Sequence, residues 1–189
     1  MKVIQLHQEE KQLIMLAVEN NRQAQQQIYA KFSSKMLSVC RQYIKDIHHA
    51  EDVMITGFMK VFTNLKNFEH KGSFEGWIRR IMVYECIDFL RVKKNNFNHQ
   101  DIEDVTVSEN ESVYEMEDFS VDDIQNMIDN LPDGYKMVFN LYAIEGYKHQ
   151  EIAEMLKISE GTSKSQLSNA RKLLQQQITE LKKKLNGTK

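Results

Sequence analysis

The chain is predicted to be all-α: two small helical domains joined by a flexible acidic linker. Three observations predict this. One proline and seven glycines in 189 residues leave long stretches with nothing to break a helix. Apolar residues recur at the three-and-four spacing of a helix with one buried face. Between two such periodic stretches, from Asn95 to Asn130, Lys and Arg are absent while eleven acidic residues accumulate. That composition is too polar to bury a core and reads as a tether. The expected division is 1–95, 96–120 for the linker, and 121–189.

Taken in order, a short helix is expected around Glu9 to Val18, then a long one from about Asn21 to Ile44 burying Ile28, Phe32, Met36, Val39, Cys40 and Tyr43. A third begins at His48, with Glu51 and Asp52 in its first turn, where the helix dipole favours acids. Its apolar residues are Val53, Met54, Phe58, Val61, Phe62 and Leu65. The run Asn67 to Ser73 breaks the pattern, with Gly72 as backbone pivot and Ser73 as N-cap. The fourth helix turns Phe74, Trp77, Ile78, Ile81 and Met82 inward and Arg79 and Arg80 outward, and ends on Arg91, Lys93 and Lys94. After the linker, Ser120 to Asp123 forms a capping box that opens the second domain. Pro132 then starts a helix running from about Asp133 to Ile144.

Apolar residues make up 41% and charged residues 28%, a globular balance. No run of about 18 apolar residues exists, and the first residues turn charged before a signal-peptide core could form, so no membrane insertion and a cytoplasmic location are expected. Cys40 and Cys86 have no C-x-x-C partner and no histidine at metal-finger spacing, so they read as reduced core thiols. The net charge of -2 conceals segregation: 11 of the 27 acids lie between Asn95 and Asn130, leaving 16 against 25 basic residues, or +9, elsewhere. A polyanionic partner is compatible with that surplus.

After Glu145-Gly146-Tyr147, the segment Lys148 to Leu156 is a short helix burying Ile152, Ala153 and Leu156; Lys157 to Ser159 makes a turn, and a long helix follows from Glu160. This is helix-turn-helix spacing, in which the second helix enters the major groove by its N-terminal part. That part is Gly161 to Lys172, rich in short hydrogen-bonding side chains, with Lys164, Arg171 and Lys172 suited to phosphates. A plain solvated face is the competing reading, but such a face normally mixes both signs, and no acid occurs from Gly161 to Ile178. Leu174, Ile178, Leu181 and Leu185 continue at near-heptad spacing, for packing within the domain or, alternatively, for a coiled-coil dimer.

The stretch from Leu131 to Leu174 resembles the fourth conserved region of the extracytoplasmic function (ECF) group of RNA polymerase sigma factors in the sigma-70 family. The stretch from Ala50 to Arg91 resembles the second region of the same group. The resemblance implies a region 2 helical bundle that binds core polymerase and melts the −10 element, and a region 4 helix-turn-helix that reads the −35 element. By position it places polymerase binding on Asp52, Met54, Phe58, Met59 and Val61, although Ile55 and Thr56 stand where the family carries a polar pair. Ordinary core packing is the competing reading for Phe58 and Val61.

The −10 contacts it implies are His70, Lys71, Ser73, Phe74, Trp77, Arg79, Arg80 and Tyr84, around a pocket for one flipped base. Trp77, spaced three from Phe74 and four from Ile81, reads as core rather than stacking platform. The −35 contacts are Thr162, Lys164, Ser165, Ser168 and Asn169, with Arg171 and Lys172 on phosphates. Ser163 is expected to be sheltered, its hydroxyl bonded back to a helix carbonyl.

The implied partners are core RNA polymerase, through its clamp helices and flap, promoter DNA, and an anti-sigma factor; the free chain is expected to be a monomer. The linker would lie in the polymerase's nucleic-acid path as a polyanion mimic. No phosphate loop, nucleophile elbow or rigid carboxylate pair is present, so neither enzyme activity nor a cofactor or metal is expected. Two other readings compete. An operator-binding helix-turn-helix regulator without stable polymerase association predicts a dimer on a palindrome. A protein-binding module leaves the face from Lys164 to Lys172 unexplained.

Overall fold

A computed structural model describes residues 2–96 and 119–186. Contacts divide the chain into two compact units, Met1–Lys93 and Lys94–Lys189. Every regular element among the described residues is helical. Most of the segment expected as a linker, residues 97–118, lies outside the described residues.

The first unit contains α1 (Lys2–Val18), α2 (Arg22–Tyr43), α3 (Ile47–Asn64), a 3₁₀ turn (Leu65–Asn67) and most of α4 (Phe74–Asn96). Asn21 caps α2, its Oδ1 accepting from the Ala24 N–H at 3.0 Å. The periodic face expected of α2 is buried as predicted, from Ile28 to Tyr43, with Ala24 added. Helix α3 starts earlier than expected. Asp46 is its cap, accepting from the His49 N–H at 3.0 Å, so Glu51 and Asp52 fall beyond the first turn, which holds no acid. The anion that favours the helix start is the cap itself.

Gly57 of α3 lies under Met82 of α4; a Cβ there would collide with the Met82 Sδ, so glycine permits this close helix crossing. Nearby, Lys60 donates to Glu85 at 2.5 Å, neutralising a carboxylate whose side chain is only 9% exposed. Phe74, Ile78, Met82, Val83, Cys86 and Ile87 carry α4 into the core, and Trp77 and Ile81 sit at its margin. Cys40 and Cys86 are buried free thiols, as expected.

The second unit contains α5 (Val121–Asp129), α6 (Asp133–Phe139), a π-helical turn (Asn140–Ile144), α7 (His149–Leu156) and α8 (Glu160–Asn186). The capping box at Ser120 forms as predicted: the Asp123 N–H donates to Ser120 Oγ at 3.1 Å, and the Ser120 N–H donates back to Asp123 Oδ2 at 3.1 Å. Pro132 is the N-cap of α6 rather than part of its first turn. The single helix expected from Asp133 to Ile144 changes character at Asn140, where the Glu145 N–H reaches the Asn140 carbonyl at 3.0 Å. The wider turn lets Asn140 and Leu141 both lie inside after Val138, each fully buried.

Across the α5–α6 connection, Lys136 lies 3.9 Å from Asp129 with both side chains buried, and Gln125 donates to the same carboxylate at 3.2 Å. Leu131, Tyr135 and Ala170 form a core cluster that Phe139, Leu173 and Leu174 extend. Leu174 thus packs within the unit; Ile178 and Leu181 are half-buried, and Leu185 lies beyond the described side chains.

Lys136→Met removes the cation beside the buried Asp129 carboxylate and should cost about 3 kcal/mol; urea unfolding should show a smaller loss in Asp129→Asn/Lys136→Met, where neither charge of the pair remains.

The Asp46 carboxyl is held below its ordinary 3.8 chiefly by the His49 N–H, and that of Asp123 chiefly by the Ser120 hydroxyl and then its N–H. Since the folded values are depressed, each cap's contribution is complete above pH 3.8 and is lost as pH falls through the lower folded value. In an NMR titration the His49 and Ser120 amide shifts should move with midpoints below 3.8; midpoints above it would contradict the capping account.

Candidate nucleic-acid interfaces

In the second unit one helix carries both a core stripe and a solvent stripe. On α8, Ser163, Leu167 and Ala170 are buried at 0, 4 and 0% exposure, while Gly161, Lys164, Ser165, Ser168 and Arg171 are exposed. Positions three and four apart share a face of a helix, so burial of the first set turns the second outward. The turn before α8 is built for a sharp entry. Lys157 adopts a left-handed conformation at φ 56° as the α7 C-cap, and the Ile158 N–H donates to the Ala153 carbonyl at 3.1 Å. Ser159 then caps α8, its Oγ accepting from the Thr162 N–H at 2.9 Å. Ile152 is fully buried against this arrangement, whereas Ala153 and Leu156, expected to be buried, are only half-buried.

The residues expected on DNA differ in how free their polar groups are. Lys164 is exposed and pairs with Glu160 at 2.7 Å; its hydrogen bond and charge hold the Glu160 carboxyl below its ordinary 4.5, with His149 adding a lesser effect. Ser168 is exposed, and so is Ser165, whose hydroxyl donates to the Thr162 carbonyl at 3.0 Å. Thr162 is half-buried and shares its hydroxyl with Ser159 at 2.8 Å, which makes it part of the cap. Asn169 donates its amide to the Tyr135 hydroxyl at 3.2 Å, bracing α8 against α6. The Arg171 guanidinium lies 5.8 Å from the centroid of the Tyr142 ring, and Lys172 is half-buried.

Ser163 is sheltered as expected, but its hydroxyl meets the His149 Nδ1 at 2.9 Å rather than a helix carbonyl. No periodicity argument could have paired these residues, because they belong to different helices.

In the first unit a cleft of about 400 Å³ opens between the loop 67–73 and α4. Of the expected −10 residues, Lys71, Ser73, Trp77 and Arg80 line it. Gly72 pivots the loop at φ 103°, and His70 is also left-handed at φ 56°. Ser73 caps α4, its Oγ accepting from the Gly76 N–H at 3.2 Å.

Asn67, Phe68, Glu69 and Gly76 complete the lining and escaped the sequence reading. Phe68 is the organising residue, its ring 5.1 Å from Phe74, 5.5 Å from Trp77 and 4.7 Å from His70. A lone aromatic in the break between two helices is the signal that could have found it. Glu69 pairs with Lys71 at 2.7 Å and tempers the charge there.

The remaining −10 candidates stand apart from the lining. Phe74 is buried beneath it at 2% exposure, and Arg79 is half-buried. Tyr84 lies a turn beyond Arg80, whose guanidinium is 5.9 Å from the Tyr84 ring. On α3, Asp52 and Met59 are exposed, but Met54, Phe58 and Val61 are buried at 5, 2 and 0%. Those three are corrected from surface contacts to core residues that hold the helix in place. Ile55, at 49% exposure, shares the outward face with Met59.

The fold and these faces define a two-unit helical chain of the helix-turn-helix class of DNA-binding proteins. Residues 28–96 match the family described as Sigma-70 region 2, and residues 121–174 match Sigma-70, region 4. The chain is 29% identical over 163 residues to the ECF RNA polymerase sigma factor SigW of Bacillus subtilis, covering 79% of this chain and 86% of that one. It is 24% identical over 169 residues to the ECF RNA polymerase sigma-E factor of Haemophilus influenzae, covering 82% and 87%. The fold is shared with the sigma factor RpoE of Bartonella quintana, solved with the anti-sigma factor NepR, at TM-score 0.53 and 20% identity over 82% of this chain and 96% of that one. The chain belongs to the sigma-70 family of RNA polymerase sigma factors, in its ECF group. No helix among the described residues is long and apolar enough to cross a membrane.

Proposed function

We propose that the two units divide the work of initiation: residues 1–95 bind core polymerase and open the −10 element, residues 121–189 read the −35 element, and residues 96–120 connect them. The observation that carries the second role is the outward stripe of α8. Lys164, Ser165, Ser168 and Arg171 stand on one exposed face at the start of a helix whose opposite stripe is core. In that arrangement Lys164 and Arg171 serve phosphates, and Ser165 and Ser168 reach base edges. Lys172 adds charge at the margin, and Thr162 and Asn169 hold the helix in register.

The −10 role rests on the aromatic cleft. Opening a duplex costs stacking energy, offset when a displaced base finds an aromatic platform beside cations. Trp77, braced by Phe68, offers the platform, with Lys71 and Arg80 beside it for the backbone. The exposed face of Asp52, Ile55 and Met59 on α3 is the polymerase contact, with apolar Ile55 where the family carries the first of a polar pair. The protein acts by binding, without catalysing a reaction, in the cytoplasm and as a monomer when free. An anti-sigma factor is a fitting regulator, in keeping with the bound state of the Bartonella quintana relative.

The test is transcription in vitro with bacterial core polymerase and a fragmented genomic template, mapping the 5′ ends. Discrete starts sharing two spaced upstream elements are expected. Lys164→Glu should abolish dependence on the upstream element, and Lys164→Ala should lower the salt slope of promoter binding by about one. Trp77→Ala should destabilise the open complex by about 1–3 kcal/mol in permanganate footprinting, with closed-complex affinity unchanged. Absence of starts and of any complex with core polymerase, together with dimers on palindromic duplex, would establish an operator-binding regulator instead.

A further inference from the structure

Between α7 and α8 a polar contact occupies a place where apolar packing would serve equally well for stability. Ser163 is 0% exposed, and its hydroxyl lies 2.9 Å from the His149 Nδ1, donating to a neutral nitrogen or accepting from Nδ1–H according to tautomer. His149 opens α7, while Ser163 sits in the first turn of α8. The imidazole in turn stacks on Tyr142, with centroids 4.6 Å apart and planes at 22°. Tyr142 belongs to the π-helical turn, and its ring also carries the Arg171 guanidinium at 5.8 Å. One chain of contacts therefore runs from the π turn through His149 to the first turn of α8, with a branch two turns along to Arg171.

We propose that His149 is a positioning residue for promoter reading. By tying Ser163 to the Tyr142 stack it sets the rotation and depth of the DNA-facing stripe of α8. The inference rests on the −35 role given above to that stripe.

The argument is geometric. Apolar side chains tolerate sliding and small rotations, because dispersion is non-directional. A hydrogen bond to a buried hydroxyl does not, since it weakens steeply with distance and angle, and an unmatched buried hydroxyl is costly. Ser163 lies between Thr162 and Lys164, so whatever fixes it fixes the first residues to meet a groove. The same stack holds Arg171, so both ends of the outward stripe are referred to one aromatic contact. A recognition surface requires its side chains held to about half an ångström. A core contact alone would need neither the directional bond nor the shared ring.

The experiment uses the full-length chain assembled with core polymerase and a promoter mapped by the transcription assay, with its upstream element intact or scrambled. The readout is the ratio of the two affinities, with thermal unfolding of the free chain measured alongside. His149→Phe keeps an aromatic stack and orphans the hydroxyl; Ser163→Ala removes the hydroxyl; His149→Phe/Ser163→Ala replaces the polar pair by an apolar one.

Each single variant should lower the preference for the intact element about tenfold, the order expected when a buried polar contact is broken, with affinity for the scrambled promoter unchanged. The double variant should recover stability without recovering the full preference. A preference unchanged in both single variants, while Lys164→Glu abolishes it, would overturn the positioning role and leave the −35 reading intact. A Lys164→Glu variant with undiminished preference would overturn the −35 reading itself and this inference with it. Equal losses on both promoters that track the melting temperature would reduce His149 to a packing residue and also overturn the proposal.

Discussion

The burial of Ser163, Leu167 and Ala170 along one stripe of α8 is the constraint on which the second unit's function depends. A helix has a single rotational setting, and committing one stripe to the core commits the opposite stripe to solvent. Ala170 permits α8 to approach Leu131 and Tyr135 closely. Once that contact is made, Lys164, Ser168 and Arg171 have no choice of direction. The caps at Ser120 and Ser159, the left-handed Lys157 and the π turn at Asn140 set where the helices of this unit begin and end.

The first unit solves a different problem. Its cleft is bounded by a short loop between two long helices, and that loop is positioned by what it packs against. Here Phe68 supplies the packing. Its ring rests on Phe74 and Trp77, so the loop is pinned near its start while Gly72 turns the chain into α4. The cleft and the core share the same aromatics. Phe74, also edge-on to Phe32 at 5.7 Å, belongs to both. That sharing accounts for the burial of Phe74. On α3, Met54, Phe58 and Val61 are buried while Asp52, Ile55 and Met59 face outward.

Much of this was legible beforehand because helices announce themselves locally. The buried face of α2, the Ser73 cap, the pivot at Gly72, the capping box at Ser120 and the helix-turn-helix spacing each depend on residues within a turn or two of one another. What escaped was either a matter of register or of contact across elements. The start of α3 moved because Asp46, outside the apolar period, captured the His49 N–H. The helix after Pro132 changed at Asn140 because two adjacent residues had to enter the core, a demand invisible to a fixed period. Thr162 and Asn169, placed on DNA by position, each also make a side-chain hydrogen bond that no period foretells, Thr162 with Ser159 and Asn169 with Tyr135.

The sequence by itself determined that this chain is helical, that a basic and hydroxyl-rich helix follows a tight turn, and that its family is the sigma-70 group. Those properties reside in periodicity, capping residues and motif order, all carried by near neighbours along the chain. Only the tertiary structure decided which of the outward-facing residues are exposed, that Phe68 organises the cleft beside α4, and that His149 meets Ser163 across two helices. Those outcomes turn on distances between residues far apart in sequence, which are set when apolar stripes from different helices are buried against each other.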